Sequence, residues 1–469
     1  MTDTEKPIMH NLLQRSACYQ ASQIAKKEIS SQELLRLYFD RIEAVNPSIN
    51  GYVALRFEFA LQEAQKFDSH PVQSPIAGVP CSIKECFAFE GMPNSAGLYS
   101  RKDFISTEDA HTVALYRKAG AIPLGVTNTS ELCMWLESRN RVYGQSNNPY
   151  DLSRTVGGSS GGEAAVVSSA CSAFGLGSDV GGSIRMPAFF TGIFGHKPSS
   201  GLVSNHGQYP NAHGTAQKLL CTGPMTHHAE DLLPLLQILA PHQKISERNI
   251  ELSKLRVLHI PGNGLRKPSS DLIIAQEKVV SFFASQGAEI ISIQPSLLRN
   301  SIQIWSAYME SAGGPTFEDL LFEGREGFIR ALVKKMLRRS KHTVPALGLV
   351  GLERLTKYLP NEVQYWLQEG LKLKDIMDSL LDENTIALFP SYTRAAPKHR
   401  SPLMTPLDFA YTAIVNVLEL PVTQVPLGLN EKGLPLGIQV LAGHGHDNVS
   451  IAIARILESE FGGWVHPTI

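Results

Sequence analysis

The sequence predicts an α/β protein that forms one large domain. Short apolar segments alternate with amphipathic helical segments along most of the 469 residues, a pattern typical of α/β proteins. Near the end of the chain, 422–429 and 434–441 flank the turn sequence Asn-Glu-Lys-Gly, which predicts a hairpin. There is no linker rich in proline, serine or glycine and no internal repeat that we detect. We therefore predict a single domain over 1–469.

The first part of the chain predicts a helical segment over 1–70. Residues 14–27 are amphipathic. Ser30, with a glutamate three positions later, is a predicted N-cap for a helix over 34–45, which Asn46-Pro47 is expected to end. We predict a third helix over 52–67.

Later elements follow the same alternation. Strands are predicted at 76–84, 122–126, 255–260, 289–293 and 385–390, with helices at 112–119 and 164–173 among the segments between them. The first of these strands ends at a charged residue, Lys84. The small residues of 164–173 suit a helix packed tightly against a sheet.

Composition excludes several classes of function. The formal net charge is −1, so there is no electrostatic case for nucleic acid binding. The six cysteines form no CxxC pair and have no metal-ligand partner at useful spacing, so neither a metal nor a cofactor is expected. The polar N-terminus predicts no signal peptide, and no apolar run predicts a transmembrane helix. We expect a cytoplasmic protein, with peripheral attachment to a membrane as the alternative.

The most informative segment is 155–200. It contains Gly-Gly-Ser-Ser-Gly-Gly at 157–162 and Gly-Gly-Ser-Ile-Arg at 181–185, which place two glycine-flanked serines, Ser159 and Ser183, 24 positions apart. Glycine allows several backbone amides to crowd one point. A serine beside such amides suits acyl transfer, because the hydroxyl attacks while the amides hold the oxyanion.

With Lys84 upstream, these motifs resemble the amidase-signature hydrolases. Further similarity is to the fatty acid amide hydrolase branch of that family, from about residue 76 to 464 and weakest between about 251 and 384. It is carried by the motifs at 91–95, 130–135, 146–151, 184–190, 195–198, 396–399 and 433–439. The resemblance implies an α/β/α domain with a twisted mixed sheet, and it makes 300–384 a variable helical insertion.

The resemblance also implies the catalytic roles. Ser183 is the expected nucleophile, Ser159 the bridging serine and Lys84 the base. A lysine is a base at neutral pH only where burial, away from carboxylates, favours its neutral form. The backbone amides of Val180, Gly181, Gly182 and Ser183 are expected to form the oxyanion hole.

Supporting residues are also expected. Ser160 is expected to hydrogen-bond Lys84, and Asp179 is expected to pair with Arg185 and fix the loop. Candidate acyl-binding side chains, each also an ordinary core candidate, are Met134, Trp135, Phe189, Phe190 and those of the apolar stretch 344–352. His196 is expected to be a structural hydrogen-bonding residue, since a nearby histidine followed by Lys-Pro is a poor triad arrangement.

The leading interpretation is an enzyme that cleaves carboxylic amides, with fatty acid amides as the substrates that the resemblance implies. Alternatives are a glutamine-hydrolysing amidotransferase subunit, an amidase for small or aromatic amides, and an inactive binding protein. Expected partners are a small-molecule amide, lipid amides among the candidates, and a second copy of the chain in a homodimer. Residues 328–352 begin with an amphipathic, basic helical pattern, which either contacts a membrane peripherally or packs on the core.

Overall fold

The computed structural model describes residues 12–356 and 360–469. Its strands are β1 Tyr52–Leu55, β2 Pro80–Lys84, β3 Ile122–Thr127, β4 Arg139–Asn140, β5 Gly144–Gln145, β6 Asn147–Asn148, β7 Asp151–Thr155, β8 Phe174–Asp179, β9 Phe194–Lys197, β10 Cys221–Thr226, β11 Arg256–His259, β12 Glu289–Ser292, β13 Thr385–Pro390, β14 Val422–Leu429 and β15 Pro435–Ala442.

A mixed sheet of 11 strands forms the middle of the fold, in the order β1-β3-β2-β8-β10-β9-β14-β15-β13-β11-β12. Strand β2 runs parallel to β3 and β8, and β11 runs parallel to β12 and β13, whereas the other neighbours are antiparallel. Strands β14 and β15 form the predicted hairpin. The strands predicted at 76–84, 122–126, 255–260, 289–293 and 385–390 are confirmed, most of them in slightly shorter form.

Helices cover both faces of this sheet. They are α1 Ala17–Ala25, α2 Ser31–Ile49, α3 Phe57–Ser69, α4 His111–Lys118, α5 Gly161–Ser168, α6 Arg185–Phe190, α7 Ala216–Leu219, α8 Leu232–Leu239, α9 Ser270–Ser285, α10 Ser301–Glu310, α11 Phe317–Phe322, α12 Phe328–Met336, α13 Val344–Thr356, α14 Pro360–Leu380, α15 Ala410–Val417 and α16 Asp447–Phe461.

Alternate residues of a central strand show the two layers. Along β13, Ile386 and Leu388 belong to one apolar core and Ala387 and Phe389 to another. Side chains of a strand alternate between the faces of its sheet, so each core fills the space between one face and its helices. The predicted α/β/α architecture is therefore confirmed.

The N-terminal prediction is wrong at two places, and its first 11 residues lie outside the described ones. Residues 52–67 are not one helix, because Tyr52–Leu55 pairs with β3 as an edge strand before α3 begins. The second helix does not stop at Pro47 but continues to Ile49 and ends at Asn50, which has left-handed backbone angles. The predicted N-cap is confirmed, since Ser30 and Glu33 form a reciprocal capping box.

The described part of 300–384 holds α10 to α14 and no strand of the sheet. Helix α12 leaves its apolar face in solvent, with Ile329 74% and Met336 84% exposed. Its small residue Ala331 is buried against neighbouring helices. The alternative in which this apolar face packs on the core holds for Phe328 alone, which packs on a small apolar cluster, whereas the other five residues of the face are exposed. Among the described residues, no helix is long and apolar enough to cross a membrane.

Candidate active site

Lys84 is the last residue of β2 and lies inside the protein, with no exposed surface. Its Nζ donates hydrogen bonds to Ser159 Oγ at 2.7 Å and to Ser178 Oγ at 2.8 Å. Ser159 comes from the loop before α5, and Ser178 from the end of β8. The structure therefore brings the predicted base to the predicted bridging serine, and hydroxyl groups bind its amine.

The second hydroxyl on Lys84 differs from the prediction. Ser160 does not bind the amine. Its hydroxyl donates to the backbone carbonyl of Ser178 at 3.2 Å. Because Ile83 lies opposite Leu176 in the parallel pair of β2 and β8, the end of β8 reaches the amine of Lys84. Only this strand pairing identifies Ser178 as a partner of Lys84. The sequence of neither strand alone reveals the pairing.

The Ser159 loop is fixed by hydrogen bonds to its backbone. Thr129 Oγ1 and Ser138 Oγ donate to the carbonyl of Ser159 at 2.9 and 3.0 Å. The amide of Ser160 donates to the carbonyl of Ser183 at 3.2 Å, so the two serine motifs are joined directly. Ser159 and Ser183 both line the same cavity.

The loop that carries Ser183 is organised around Asp179. One carboxylate oxygen accepts from the amide of Gly182 at 2.7 Å, and the other accepts from the amide of Ile184 at 3.0 Å. This corrects the predicted oxyanion hole, because the amide of Gly182 is committed to Asp179. The amides of Val180, Gly181 and Ser183 donate to no acceptor among the residues that the structure describes.

Asp179 and Arg185 form the expected pair, wholly buried, with Nη2 of Arg185 3.0 Å from the carboxylate. The guanidinium also donates to Gln439 Oε1 at 2.7 Å and to Asn416 Oδ1 at 2.6 Å. Burial alone would raise the pKa of Asp179, but the Arg185 charge and its hydrogen bonds hold that pKa well below its usual range. The pair therefore anchors the loop as a fixed ion pair.

Two distant side chains hold the carbonyls of the same loop. Trp305 Nε1 donates to the carbonyl of Val180 at 2.9 Å, and Thr412 Oγ1 donates to that of Gly181 at 2.7 Å. They come from α10 and α15, 125 and 231 positions away from their acceptors. Sequence reasoning missed both roles, because no local pattern marks contacts of that separation.

Two buried carboxylates flank Lys84 but already have partners. Glu163 accepts from the hydroxyls of Ser82 and Thr127, and Glu85 accepts from the backbone amide of Ala96 at 2.7 Å. Burial raises the pKa of each glutamate to about 7, despite these hydrogen bonds. The expectation that Lys84 stands away from carboxylates is therefore modified. The Glu163 carboxylate is near enough to feel the charge of Lys84, but it is held by other donors.

The cavity in front of the serines has a volume of about 370 Å³. Met134 lines it as predicted, whereas Trp135 does not. Phe189 and Phe190 have no exposed surface and pack in a separate apolar core, so their predicted role in substrate binding is wrong. Leu349 and Leu352, from the predicted stretch 344–352, also line it, as do Leu132, Trp305, Met309 and Leu320, which sequence reasoning missed.

Other predicted polar residues have structural positions. His196 lies buried on β9, where its ring nitrogens contact Thr423 Oγ1 at 3.0 Å and Asp447 Oδ1 at 3.1 Å. It is thus a structural hydrogen-bonding residue, as predicted. Within 12–356 and 360–469, no group of three histidine, cysteine or acidic side chains is arranged to hold a metal ion.

A buried lysine bound to two serines, beside a glycine loop with a third serine, is the arrangement expected of the predicted family. The family described as amidase matches residues 33–450. The chain belongs to the amidase family. As an amidase, it is an enzyme of amide hydrolysis.

Individual proteins resemble this amidase over almost its full length. Fatty-acid amide hydrolase 2-A of Danio rerio is 46% identical, over 98% of this chain and 91% of the relative. Fatty-acid amide hydrolase 2 of Homo sapiens is 44% identical, over 99% and 92%. The solved structure of 6-aminohexanoate cyclic dimer hydrolase has a TM-score of 0.80 and 23% identity, over 97% of this amidase and 99% of that chain, and supports the fold.

Proposed function

We propose that this amidase hydrolyses fatty acid amides through Ser183, Ser159 and Lys84. The observation that carries the proposal is the position of Lys84. Its amine is buried, touches Ser159 Oγ at 2.7 Å and lies behind a cavity lined largely by apolar side chains. In its neutral form this amine accepts a proton from Ser159, which accepts one from Ser183.

The first half of the reaction forms an acyl-enzyme. Ser183 Oγ attacks the amide carbonyl as its proton passes through Ser159 to Lys84. The oxyanion is then held by the backbone amides of Val180, Gly181 and Ser183. The same proton returns through Ser159 to the leaving nitrogen, and the amine or ammonia departs. Water then attacks the ester of Ser183 by the same relay and releases the acid.

The cavity supports an apolar acyl group. Leucine, methionine, phenylalanine and tryptophan side chains line it, and the similar proteins of Danio rerio and Homo sapiens are fatty-acid amide hydrolases. A glutamine substrate would need a cation for its carboxylate. In the described part of the chain no lysine or arginine lines this cavity. This argues against the amidotransferase alternative.

A hydrolysis panel tests the proposed substrate class. Oleamide, an acyl ethanolamide, a short aromatic amide and glutamine are compared by kcat/KM with the purified protein. The proposal expects the two long-chain amides to exceed the aromatic amide by at least about tenfold, since each buried methylene favours binding. A preference for glutamine or for the aromatic amide would overturn the proposed substrate class.

Helix α12 supports peripheral attachment to a membrane. Its exposed apolar residues include Ile329, Val333 and Met336, and the following helix contributes Leu349 and Leu352 to the cavity wall. A face of this kind would lie in the apolar boundary of a bilayer while its neighbouring cations meet anionic head groups. Lipid amides would thereby reach the cavity from the membrane.

A homodimer stays a prediction, which sedimentation velocity checks.

A further inference from the structure

Two thiols on the cavity wall take no part in the proposed relay. Cys86 follows Lys84 by two positions, and Cys133 ends the short turn Glu131–Cys133. Both line the cavity together with the serines. Cys86 is buried, whereas Cys133 is half-buried. A molecule in the cavity therefore reaches Cys133 first.

The surroundings of Cys133 favour its reactivity. Cys133 Sγ lies 3.4 Å from Thr129 Oγ1, and Cys86 Sγ lies 3.7 Å from Ser178 Oγ. The neighbouring Cys86 thiol, together with the Lys84 amine, lowers the pKa of Cys133 against the opposing effect of burial. Burial raises the pKa of Cys86. Because the thiolate is the nucleophilic form, Cys133 is the reactive member of the pair.

The position of Cys133 links any adduct to catalysis. Thr129, its neighbour, is one of the two residues whose hydroxyls hold the carbonyl of Ser159. Leu132 and Cys133 have positive φ angles of 53° and 59°, so the turn presents these side chains from an uncommon backbone conformation. A group attached to Cys133 would occupy the cavity beside Ser159 and obstruct an acyl chain.

We propose that Cys133 is a modification site for long-chain α,β-unsaturated aldehydes, which enter the apolar cavity and block hydrolysis. The apolar lining that suits an acyl chain equally suits the alkyl tail of such an aldehyde. The inhibitory consequence rests on the proposed function, whereas formation of the adduct does not.

The chemistry is a conjugate addition that needs no oxidant. The sulfur of Cys133 forms a bond to the β-carbon of the aldehyde, and the carbon–carbon π bond breaks. The electron pair moves to the carbonyl oxygen as an enolate. The proton released by the thiol then reaches the α-carbon, which restores the carbonyl. The product is a thioether that contains every atom of both reactants.

The test exposes the full chain to (E)-2-nonenal, to (E)-2-butenal, and to saturated nonanal, which lacks the reactive double bond. Intact mass and peptide mapping locate the adduct, and labelling of Ser183 by a fluorophosphonate reports access to the cavity. The proposal expects one nonenal per chain on Cys133 and at least about tenfold faster addition than with butenal, since the longer tail is buried. Fluorophosphonate labelling should fall in step with the adduct.

Variants keep the test specific. Cys133→Ser should form no adduct, and nonenal should not change the rate at which a fluorophosphonate labels this variant. Cys18→Ser, which changes a thiol outside the cavity, should behave as the parent protein. An adduct on another residue, or equal inactivation of Cys133→Ser, would overturn the proposal. If the adduct forms on Cys133 but no long-chain amide is hydrolysed, the proposed substrate class fails and the modification site stands.

Discussion

The indole of Trp305 donates a hydrogen bond to the carbonyl of Val180 across 2.9 Å, so helix α10 holds the loop that carries Ser183. In a trans peptide the carbonyl and the following amide point in opposite directions. Holding the carbonyl of Val180 therefore directs the amide of Gly181 away from Trp305. A Cβ atom on Gly181 would lie 3.3 Å from the indole, so the ring also covers this residue closely.

Trp305→Phe tests this arrangement, because it keeps an aromatic ring but removes the indole N–H. We expect kcat to fall about fivefold with little change in KM, since one hydrogen bond contributes about 1 kcal/mol. Steady-state kinetics on a soluble amide measure both constants. An unchanged kcat, or an effect confined to KM, would show that Trp305 serves substrate binding alone. Thr412→Ser keeps the hydroxyl on the neighbouring carbonyl of Gly181 and serves as the control.

Lys84→Met replaces the amine with an apolar side chain of similar length. We expect kcat/KM to fall by about 10²–10⁴, because the proton of Ser159 loses its acceptor. Ser178→Ala, which removes the other hydroxyl on this amine, should cost less, since it affects only the position of Lys84. Turnover of Lys84→Met at the parent rate would exclude the relay.

Asp179→Asn should destabilise the fold strongly. The substitution leaves the guanidinium of Arg185 buried without its counter-charge, a change that typically costs about 3–5 kcal/mol. Urea unfolding at pH 7 measures the loss. Because the pKa of Asp179 is lowered in the folded protein, the parent retains this stabilisation above the usual carboxyl range and loses it only in strong acid. Equal unfolding free energies at pH 7 would contradict the account.

Glu163→Gln should flatten the dependence of stability on pH. The pKa of Glu163 is raised by burial from 4.5 to about 7. A raised carboxyl pKa contributes stability that is complete below about pH 4.5 and is lost as the pH rises through 7. The unfolding free energy of the parent should therefore fall further between pH 5 and 8 than that of the variant, by up to about 3 kcal/mol. Parallel curves would show that Glu163 stays in one protonation state.

Replacing Ile329 and Met336 together by serine should weaken binding to anionic liposomes, since both side chains are mostly exposed on α12. Co-sedimentation at low salt measures the partition. Met404→Ser is a matched control, because that side chain is 82% exposed elsewhere. Charge reversal of α12 would be harder to interpret, because it would also remove internal contacts. Lys334 pairs with Glu326, and Lys335 donates to the backbone carbonyl of His342. Equal binding by the double variant and the parent would remove the membrane proposal.

The sequence predicted elements well where the pattern was local. The strand ending at Lys84 and the capping box at Ser30 were both found from neighbouring residues. Tyr52–Leu55 was missed because a four-residue strand is defined by its partner β3, which tertiary pairing supplies. Pro47 was overrated as a helix breaker, although α2 continues for only two residues beyond it.

Side-chain roles divided in the same way. The serines of the glycine motifs were predicted from local sequence. The hydrogen bond that the Gly182 amide donates to Asp179, in contrast, depends on how the loop folds back. Phe189 and Phe190 point into a core rather than the cavity, and hydrophobicity alone does not distinguish the two environments. Ser178 and Trp305 reach the site through strand pairing and helix packing, which a single sequence does not display.

The most direct test of the central claim is the site of a covalent adduct. The protein is treated with a fluorophosphonate, digested and mapped by mass spectrometry, in parent and Lys84→Met forms. We expect an adduct on Ser183 in the parent and much slower labelling of the variant, because the nucleophile depends on the relay. An adduct on Ser159 or Ser160, or labelling of both forms at one rate, would contradict it.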